Sequence, residues 1–119
     1  MLKLEDLEVY RLAMKLGEMV WTVVESWSNL AKDTIGKQLI RSADSVAANV
    51  AEGYGRYHFK ENKLFSYYGR GSLLETKCWI EKAQQRKLLS EAQHKELIAI
   101  VDTLHLKLNT YIKSIGTHS

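Results

Sequence analysis

None of the 119 residues is proline, and apolar side chains recur at intervals of three and four along most of the chain. Proline breaks helices because it lacks the amide hydrogen and clashes with the preceding turn. Apolar residues three and four apart lie on the same face of a helix. The sequence therefore predicts an all-α fold of long helices joined by short polar connections.

The last segment contains the clearest predicted helix. Ser90 and Gln93 stand at the spacing of a capping box, in which each side chain binds the free backbone amide of the other residue. Apolar residues then alternate strictly between fours and threes, which is typical of a left-handed helical bundle. This predicted seam consists of Leu97, Val101, Leu104, Leu108, Tyr111 and Ile115.

Two further helices are predicted in the middle of the chain. One begins at about Asp33, a good N-cap residue, and ends at residues 53–55, where glycines readily adopt the conformation of a helix terminus. The other covers about residues 61–86. The predicted core residues of the first are Leu39, Ala43, Val46 and Val50, and those of the second are Leu64, Tyr67, Gly71, Leu74 and Cys78.

The first predicted helix, over about residues 5–27, carries two apolar stripes. A helix that buries one face needs only one stripe, so this helix either has a wide core face or is also covered by another subunit. One stripe is Leu7, Tyr10, Met14, Gly17, Trp21 and Val24, and the other is Val9, Ala13, Leu16, Val20, Val23 and Trp27.

Short connections place successive helices side by side in opposite directions. We therefore predict one domain over residues 1–119, an antiparallel, left-handed, up-and-down four-helix bundle. The single cysteine, Cys78, favours a reducing compartment. The longest apolar run, residues 19–24, is too short to cross a bilayer. A cytoplasmic protein without membrane contact is expected.

Residues that could carry catalysis or bind a metal do not cluster in the sequence. Glu91 and His94 form one Glu-x-x-His motif, whereas the di-iron sites of helical bundles use two such motifs and two more glutamates. Cys78 has no histidine at helical contact spacing to act as its base. The four histidines are scattered, at His58, His94, His105 and His118. We predict no enzyme, no metal and no cofactor.

A polar group lies on the second predicted helix, where Ser45, Asn49 and Glu52 share one face. If the following turn centres near His58, antiparallel pairing brings small residues of the two middle helices together and forms a partly desolvated ion pair. This register pairs Arg41 with Glu75, Ser45 with Ser72, and Ala47 and Ala48 with Gly69. The favoured interpretation is structural, and a ligand site or an enzyme using the Ser45 face is the alternative.

The middle of the chain is basic. Residues 32–89 carry eleven bases and six acids, whereas residues 5–27 carry two bases and five acids. A heptad spacing keeps several of these bases on one stripe of the third helix, where they could neutralise phosphates while nearby aromatic side chains stack on bases. The candidate nucleic-acid-binding residues are Lys63, Arg70, Lys77, Lys82, Arg86 and Lys87. The alternative is an ordinary solvated face.

Two motifs on the middle helices resemble a known family. Residues 45–53 read Ser-Val-Ala-Ala-Asn-Val-Ala-Glu-Gly, and residues 69–75 read Gly-Arg-Gly-Ser-Leu-Leu-Glu. Together with the opening Leu-Glu-Val-Tyr at residues 7–10, they resemble the bacterial four-helix bundle proteins encoded in intervening sequences of 23S ribosomal RNA genes. The likeness covers nearly the whole chain, with Gly69 where alanine is expected.

The resemblance implies a four-helix bundle that assembles as a ring of five subunits around a central channel. The family is similar in architecture to the accessory protein of diversity-generating retroelements, which implies a basic surface for nucleic acid. It implies no enzymatic activity. The residues to which it gives a structural role are Arg41, Ser45, Asn49, Glu52, Gly53, Gly71, Ser72 and Glu75.

Two functional hypotheses follow. The first is a non-catalytic homo-oligomer that binds the RNA or DNA backbone through its basic surface, with an affinity that falls steeply with salt. The second is a scaffold whose two-striped first helix docks on a protein partner or on copies of itself, without affinity for nucleic acid.

Overall fold

The computed structural model describes residues 2–117, and this part of the chain is helical, without strands. Its four long helices form a rod of 50 × 23 × 21 Å. They are α1 (Glu8–Glu25), α2 (Lys37–Tyr54), α3 (Phe59–Gln85) and α4 (Glu91–Ser114). The predicted all-α four-helix bundle is confirmed.

Contacts between the helices give the topology. Helix α1 packs against α2 and α4, and α3 packs against the same two helices, so that α1 and α3 lie diagonally across the bundle. Side-chain hydrogen bonds join Ser42 to Thr76 and Ser45 to Ser72. Because the residue numbers rise on α2 as they fall on α3, these neighbours are antiparallel, as the short connections predict.

The predicted seam of α4 forms part of the core. Leu97, Leu104 and Leu108 are almost completely buried. Tyr111 is half-buried, and the other residues of the predicted set are buried. The capping box at the start of the helix is present, because Ser90 Oγ accepts from the Gln93 amide at 3.1 Å and Gln93 Oε1 accepts from the Ser90 amide at 2.9 Å. The apolar spacing therefore identifies the buried face of α4, and the capping box identifies its first residue.

The start of the second helical segment differs from the prediction. The cap is Ser28, whose hydroxyl accepts from the Ala31 amide, and Asp33 lies within a π-helical turn over Lys32–Gly36. Ser28 has the extended backbone that an N-cap needs, five residues before the predicted cap. Gly36 ends the wide turn, where a Cβ atom would stand 2.8 Å from a methyl carbon of Val24. The lack of a side chain there permits the close approach to α1.

Helix α1 buries its second stripe more fully than its first. Ala13, Leu16 and Val20 have no exposed surface, whereas Met14 and Trp21 are 46% and 52% exposed. The wide-core alternative therefore accounts for only part of the first stripe, and two large apolar side chains remain at the surface.

Helix α3 contradicts the predicted core face. Two stripes with the same three-four spacing run along opposite sides of this helix. The predicted stripe points outward, with Leu64, Tyr67 and Leu74 each 46–48% exposed. The stripe that packs inward is Ser66, Gly69, Leu73, Thr76, Ile80 and Ala83. This stripe can be buried because the Thr76 hydroxyl has a partner on α2, Ser42, and Ser66 Oγ donates to Asn62 of its own helix. Gly69 also lets the two helices approach.

Candidate interaction surfaces

The polar residues of α2 and α3 bind one another across the helix pair. Ser72 Oγ donates to Ser45 Oγ at 3.0 Å, and Thr76 Oγ1 lies 3.0 Å from Ser42 Oγ. Asn49 Nδ2 donates to the carbonyl oxygen and the hydroxyl of Ser45, at 2.9 and 3.0 Å. These groups satisfy one another's hydrogen bonds, so the arrangement supports a structural role rather than a ligand site.

The predicted pair of Arg41 and Glu75 is present at the surface. The guanidinium donates to Glu75 Oε2 at 3.1 Å, and Trp79 Nε1 donates to the same oxygen at 3.0 Å. The two charged side chains are 65% and 40% exposed. The predicted ion pair is therefore present and only partly desolvated, and because water reaches both groups it contributes little to stability.

Glu52 lies apart from the Ser45 network. Its carboxylate accepts from Arg56 at 2.8 Å, and the same guanidinium stacks over the ring of Phe65 at 4.7 Å from the centroid. Ser45, Asn49 and Glu52 therefore do not form one polar site. Gly53 marks a close approach of α2 and α3, since a Cβ atom there would stand 2.9 Å from the carbonyl oxygen of Asn62.

The predicted partners of Gly69 are wrong although the register is right, because the residues that face it are Val46 and Asn49, on either side of Ala47 and Ala48 in sequence. A Cβ atom at Gly69 would meet the carbonyl oxygen of Val46 and the Cβ of Asn49, each at 3.5 Å. Ala47 and Ala48 instead line a groove between α1 and α2. A rotation about the axis of α2 separates these alanines from α3, and helical spacing alone did not show which neighbour they face.

Two of the three heptad-spaced bases bind side chains of α4. Arg70 donates to Asn109 Oδ1 at 2.9 Å and stacks over the ring of Tyr67, 4.7 Å from its centroid. Lys77 Nζ donates to Asp102 Oδ1 at 3.1 Å. Part of the predicted nucleic-acid surface therefore holds α3 against α4.

The other predicted bases lie at the two ends of α3. Lys63 is in the second turn, whereas Lys82, Arg86 and Lys87 are at the far end, about 28 Å away. Within residues 2–117 none of these four bases forms an ion pair. Lys87 has a φ of 61° in the connection to α4. The structure therefore brings three bases together in a basic corner, Lys82, Arg86 and Lys87, and separates Lys63 from it.

An outer seam follows the solvent side of α3. We use this name for Leu64, Tyr67, Gly71, Leu74 and Cys78, which repeat at threes and fours over two heptads. All five are exposed, and a Cβ atom added at Gly71 would meet nothing within 4 Å. Apolar residues at this spacing form the contact line of helices that pack along one another.

An acidic groove runs between α1 and α2. Its floor consists of small residues, and two carboxylates stand at one end. Asp44 covers Gly17, with Oδ1 2.7 Å from the position that a Cβ atom would occupy. Burial, and then the negative charge of Glu18, raise the pKa of Asp44 above its usual range. The lining residues are Tyr10, Ala13, Met14, Gly17, Glu18, Asp44, Ala47, Ala48 and Ala51.

The histidine, cysteine and acidic residues of the described chain lie at several separate places. Over residues 2–117 no three histidine, cysteine or acidic side chains gather closely enough to hold a metal ion. His94 pairs with Glu81 at 2.6 Å rather than with a second metal-type motif, and His118 lies outside the described residues. None of the described helices has a stretch apolar and long enough to cross a membrane.

Comparisons with known proteins agree with this architecture. A family model described as 23S rRNA-intervening sequence protein matches residues 5–110. The crystal structure of a protein of unknown function from the S23 ribosomal protein family of Bacteroides thetaiotaomicron superposes with a TM-score of 0.83. The two chains are 18% identical over 89% of this chain and 96% of that one, a likeness that shows the fold alone. No curated protein matches the chain.

Proposed function

The chain belongs to the 23S rRNA-intervening sequence protein family, and we propose that it is a non-catalytic, cytoplasmic bundle that assembles with copies of itself through the outer seam of α3. The observation that supports this most is the inversion of α3 over residues 64–78, where the exposed stripe is more apolar than the buried one. A helix that only had to complete one bundle would carry the opposite pattern.

Burial of the outer seam supplies the energy for assembly. Complete burial of a leucine-sized side chain contributes about 1.5–3 kcal/mol, and each large seam residue is already about half covered. Leu64, Tyr67 and Leu74 would therefore each contribute about 1 kcal/mol per contact. The proposed number of subunits is five, the number that the family resemblance implies.

Light scattering on the purified protein at micromolar concentration tests self-assembly. We expect the wild type to have a mass several times the 13.7 kDa of one chain. Leu74→Glu introduces a charge into the outer seam and is expected to reduce the mass to that of a monomer with unchanged helicity. The matched control is Leu106→Glu, because Leu106 is 72% exposed on α4, away from the seam. A monomeric wild type would contradict the proposal.

A second candidate function is binding of the RNA or DNA backbone. It is supported by the basic corner, three neighbouring bases without an ion pair in residues 2–117. Positive charges of this kind bind phosphates by displacing counterions. Because Arg70 and Lys77 already bind α4, the corner and Lys63 carry this proposal.

Filter binding to a structured RNA at two salt concentrations tests this function. Reversal of two corner charges by Arg86→Glu and Lys87→Glu should weaken binding and lower the salt slope by about two. The control is Lys107→Glu, since Lys107 pairs with Glu8 on another face. An oligomer without RNA affinity at low salt would instead support the scaffold function.

A further inference from the structure

The outer seam and the acidic groove belong to different helices, so a contact between them joins two different surfaces of two copies. The seam lies on α3, and the groove is formed by α1, diagonally opposite, together with α2. A contact that joins two different surfaces leaves one free surface of each kind on the pair. Such contacts continue from copy to copy until a ring closes.

The shapes of the two surfaces match. The groove has a floor of small residues, among them Ala47, Ala48 and Ala51, so it can admit large side chains. The outer seam provides them as a ridge, with Tyr67 and Leu74 on either side of Gly71. Helices pack when a ridge of side chains on one fits into a groove on its neighbour.

The charges of the two surfaces also match. Asp44 and Glu18 lie side by side without an ion-pair partner in residues 2–117. Helix α3 carries five bases and three acids. Among these bases, Arg70 flanks the seam at Tyr67, and its bond to Asn109 uses one of five N–H donors. An arginine brought to the groove would relieve the repulsion between its carboxylates.

The two surfaces lie at the same height along the bundle. Asp44 touches the backbone position of Gly17 on α1, and the neighbouring Ser45 bonds to Ser72 on α3. Ser72 lies between Gly71 and Leu74 of the seam. Copies related by rotation about an axis parallel to the helices meet at equal heights, so no sliding is needed.

From these observations we propose that the outer seam of α3 docks into the acidic groove between α1 and α2 of a second copy of this chain. This inference rests on the proposed self-assembly and names the surface that covers the seam. Arg70 of the docked copy would then lie within one helical turn of Asp44.

A matched pair of substitutions tests the acceptor surface. Ala48 is exposed in the acidic groove, whereas Ala99 is exposed in the groove between α1 and α4. Ala48→Arg should fill the acceptor and reduce the mass measured by light scattering to that of one chain. Ala99→Arg should leave the mass unchanged. The opposite result would assign the seam to the other groove and overturn the inference while self-assembly stands.

Disulfide trapping distinguishes this contact from two seams packed on each other. In a Cys78→Ala background, the double variant Ala48→Cys and Gly71→Cys should give a ladder of cross-linked species beyond the dimer under oxidation. Gly71→Cys alone should give no cross-link. A dimer from Gly71→Cys alone would show that seams meet each other across a two-fold axis and would overturn the docking.

The outcomes separate the two proposals. A monomeric wild type removes both of them. An oligomeric wild type whose mass falls with Leu74→Glu but not with Ala48→Arg retains self-assembly through the seam and rejects the acidic groove as its acceptor.

Discussion

At the scale of single residues, two glycines in the middle helices have opposite surroundings. Gly53 lies where α2 meets α3, and Gly71 faces open space on the outer seam. Gly53→Ala should lower the free energy of unfolding by about 1–3 kcal/mol, because the new methyl group would press on the backbone of Asn62. Urea denaturation measures this.

Gly71→Ala is the matched variant, measured in the monomeric Leu74→Glu background so that assembly does not contribute. It should raise the free energy of unfolding by up to about 1 kcal/mol, because alanine favours helix and meets no neighbour there. Equal effects of the two substitutions would contradict the close contact at Gly53.

The carboxyl group of Asp44 gives a pH-dependent prediction. Burial and the charge of Glu18 raise its pKa, so the folded chain binds a proton more tightly than the unfolded chain. Stability from this group is present below the unfolded-state pKa, about 4, and is lost as the pH rises through the folded-state pKa.

Asp44→Asn should therefore stabilise the chain at pH 7 and have no such advantage below about pH 4. Urea titrations of the monomeric Leu74→Glu variant at both pH values measure this without a second copy over the groove. A stabilisation of equal size at the two pH values would contradict the raised pKa.

At the scale of the helices, α4 depends on a defined start. Both hydrogen bonds of its capping box are made, and Ser90→Ala removes the hydroxyl that accepts from the Gln93 amide. We expect a loss of about 1 kcal/mol in the free energy of unfolding, measured by urea denaturation. Thr110→Ala is the control, because this exposed hydroxyl bonds only to a carbonyl of its own helix, that of Leu106. A larger effect at Thr110 than at Ser90 would contradict the role of the cap.

The helices differ in how well the sequence predicts them. In α4 the apolar seam and the buried face coincide, so spacing alone identifies the core. In α3 two seams have the same spacing, and hydropathy favours the wrong one. The signal that could have identified the inner stripe was the match of Thr76 with Ser42, one turn along from the predicted pair of Ser72 and Ser45, since paired hydroxyl groups can be buried at little cost.

At the scale of the whole molecule, length and loop spacing predict the antiparallel bundle, but they do not predict which bases remain free. Lys77 and Arg70 share a heptad stripe with Lys63, yet the first two bind α4. Which helix faces the stripe depends on the rotation of α3 about its own axis. That rotation follows from tertiary packing rather than from spacing within one helix.

Assembly through the outer seam predicts that stability depends on concentration. Only folded chains associate, and association stabilises the folded state. The melting temperature of the wild type should therefore rise as the protein concentration increases. Calorimetry over a hundredfold range of concentration measures this. Leu74→Glu should melt at one temperature throughout. A wild type with the same behaviour as this variant would argue against assembly as a source of stability.

At the wide turn of Lys32–Gly36, the number of residues rather than their chemistry determines how the preceding chain is rotated about the helix axis relative to α2. Such a turn contains one residue more than an ordinary α-helical turn. Deletion of the exposed Thr34 would restore regular pitch and swing everything before it by about 100° relative to Leu39. Trp27, now inside, would be carried toward water. The hairpin of α1 and α2 can therefore accept substitutions at the exposed positions of this turn, but it cannot accept the loss of a residue from the turn.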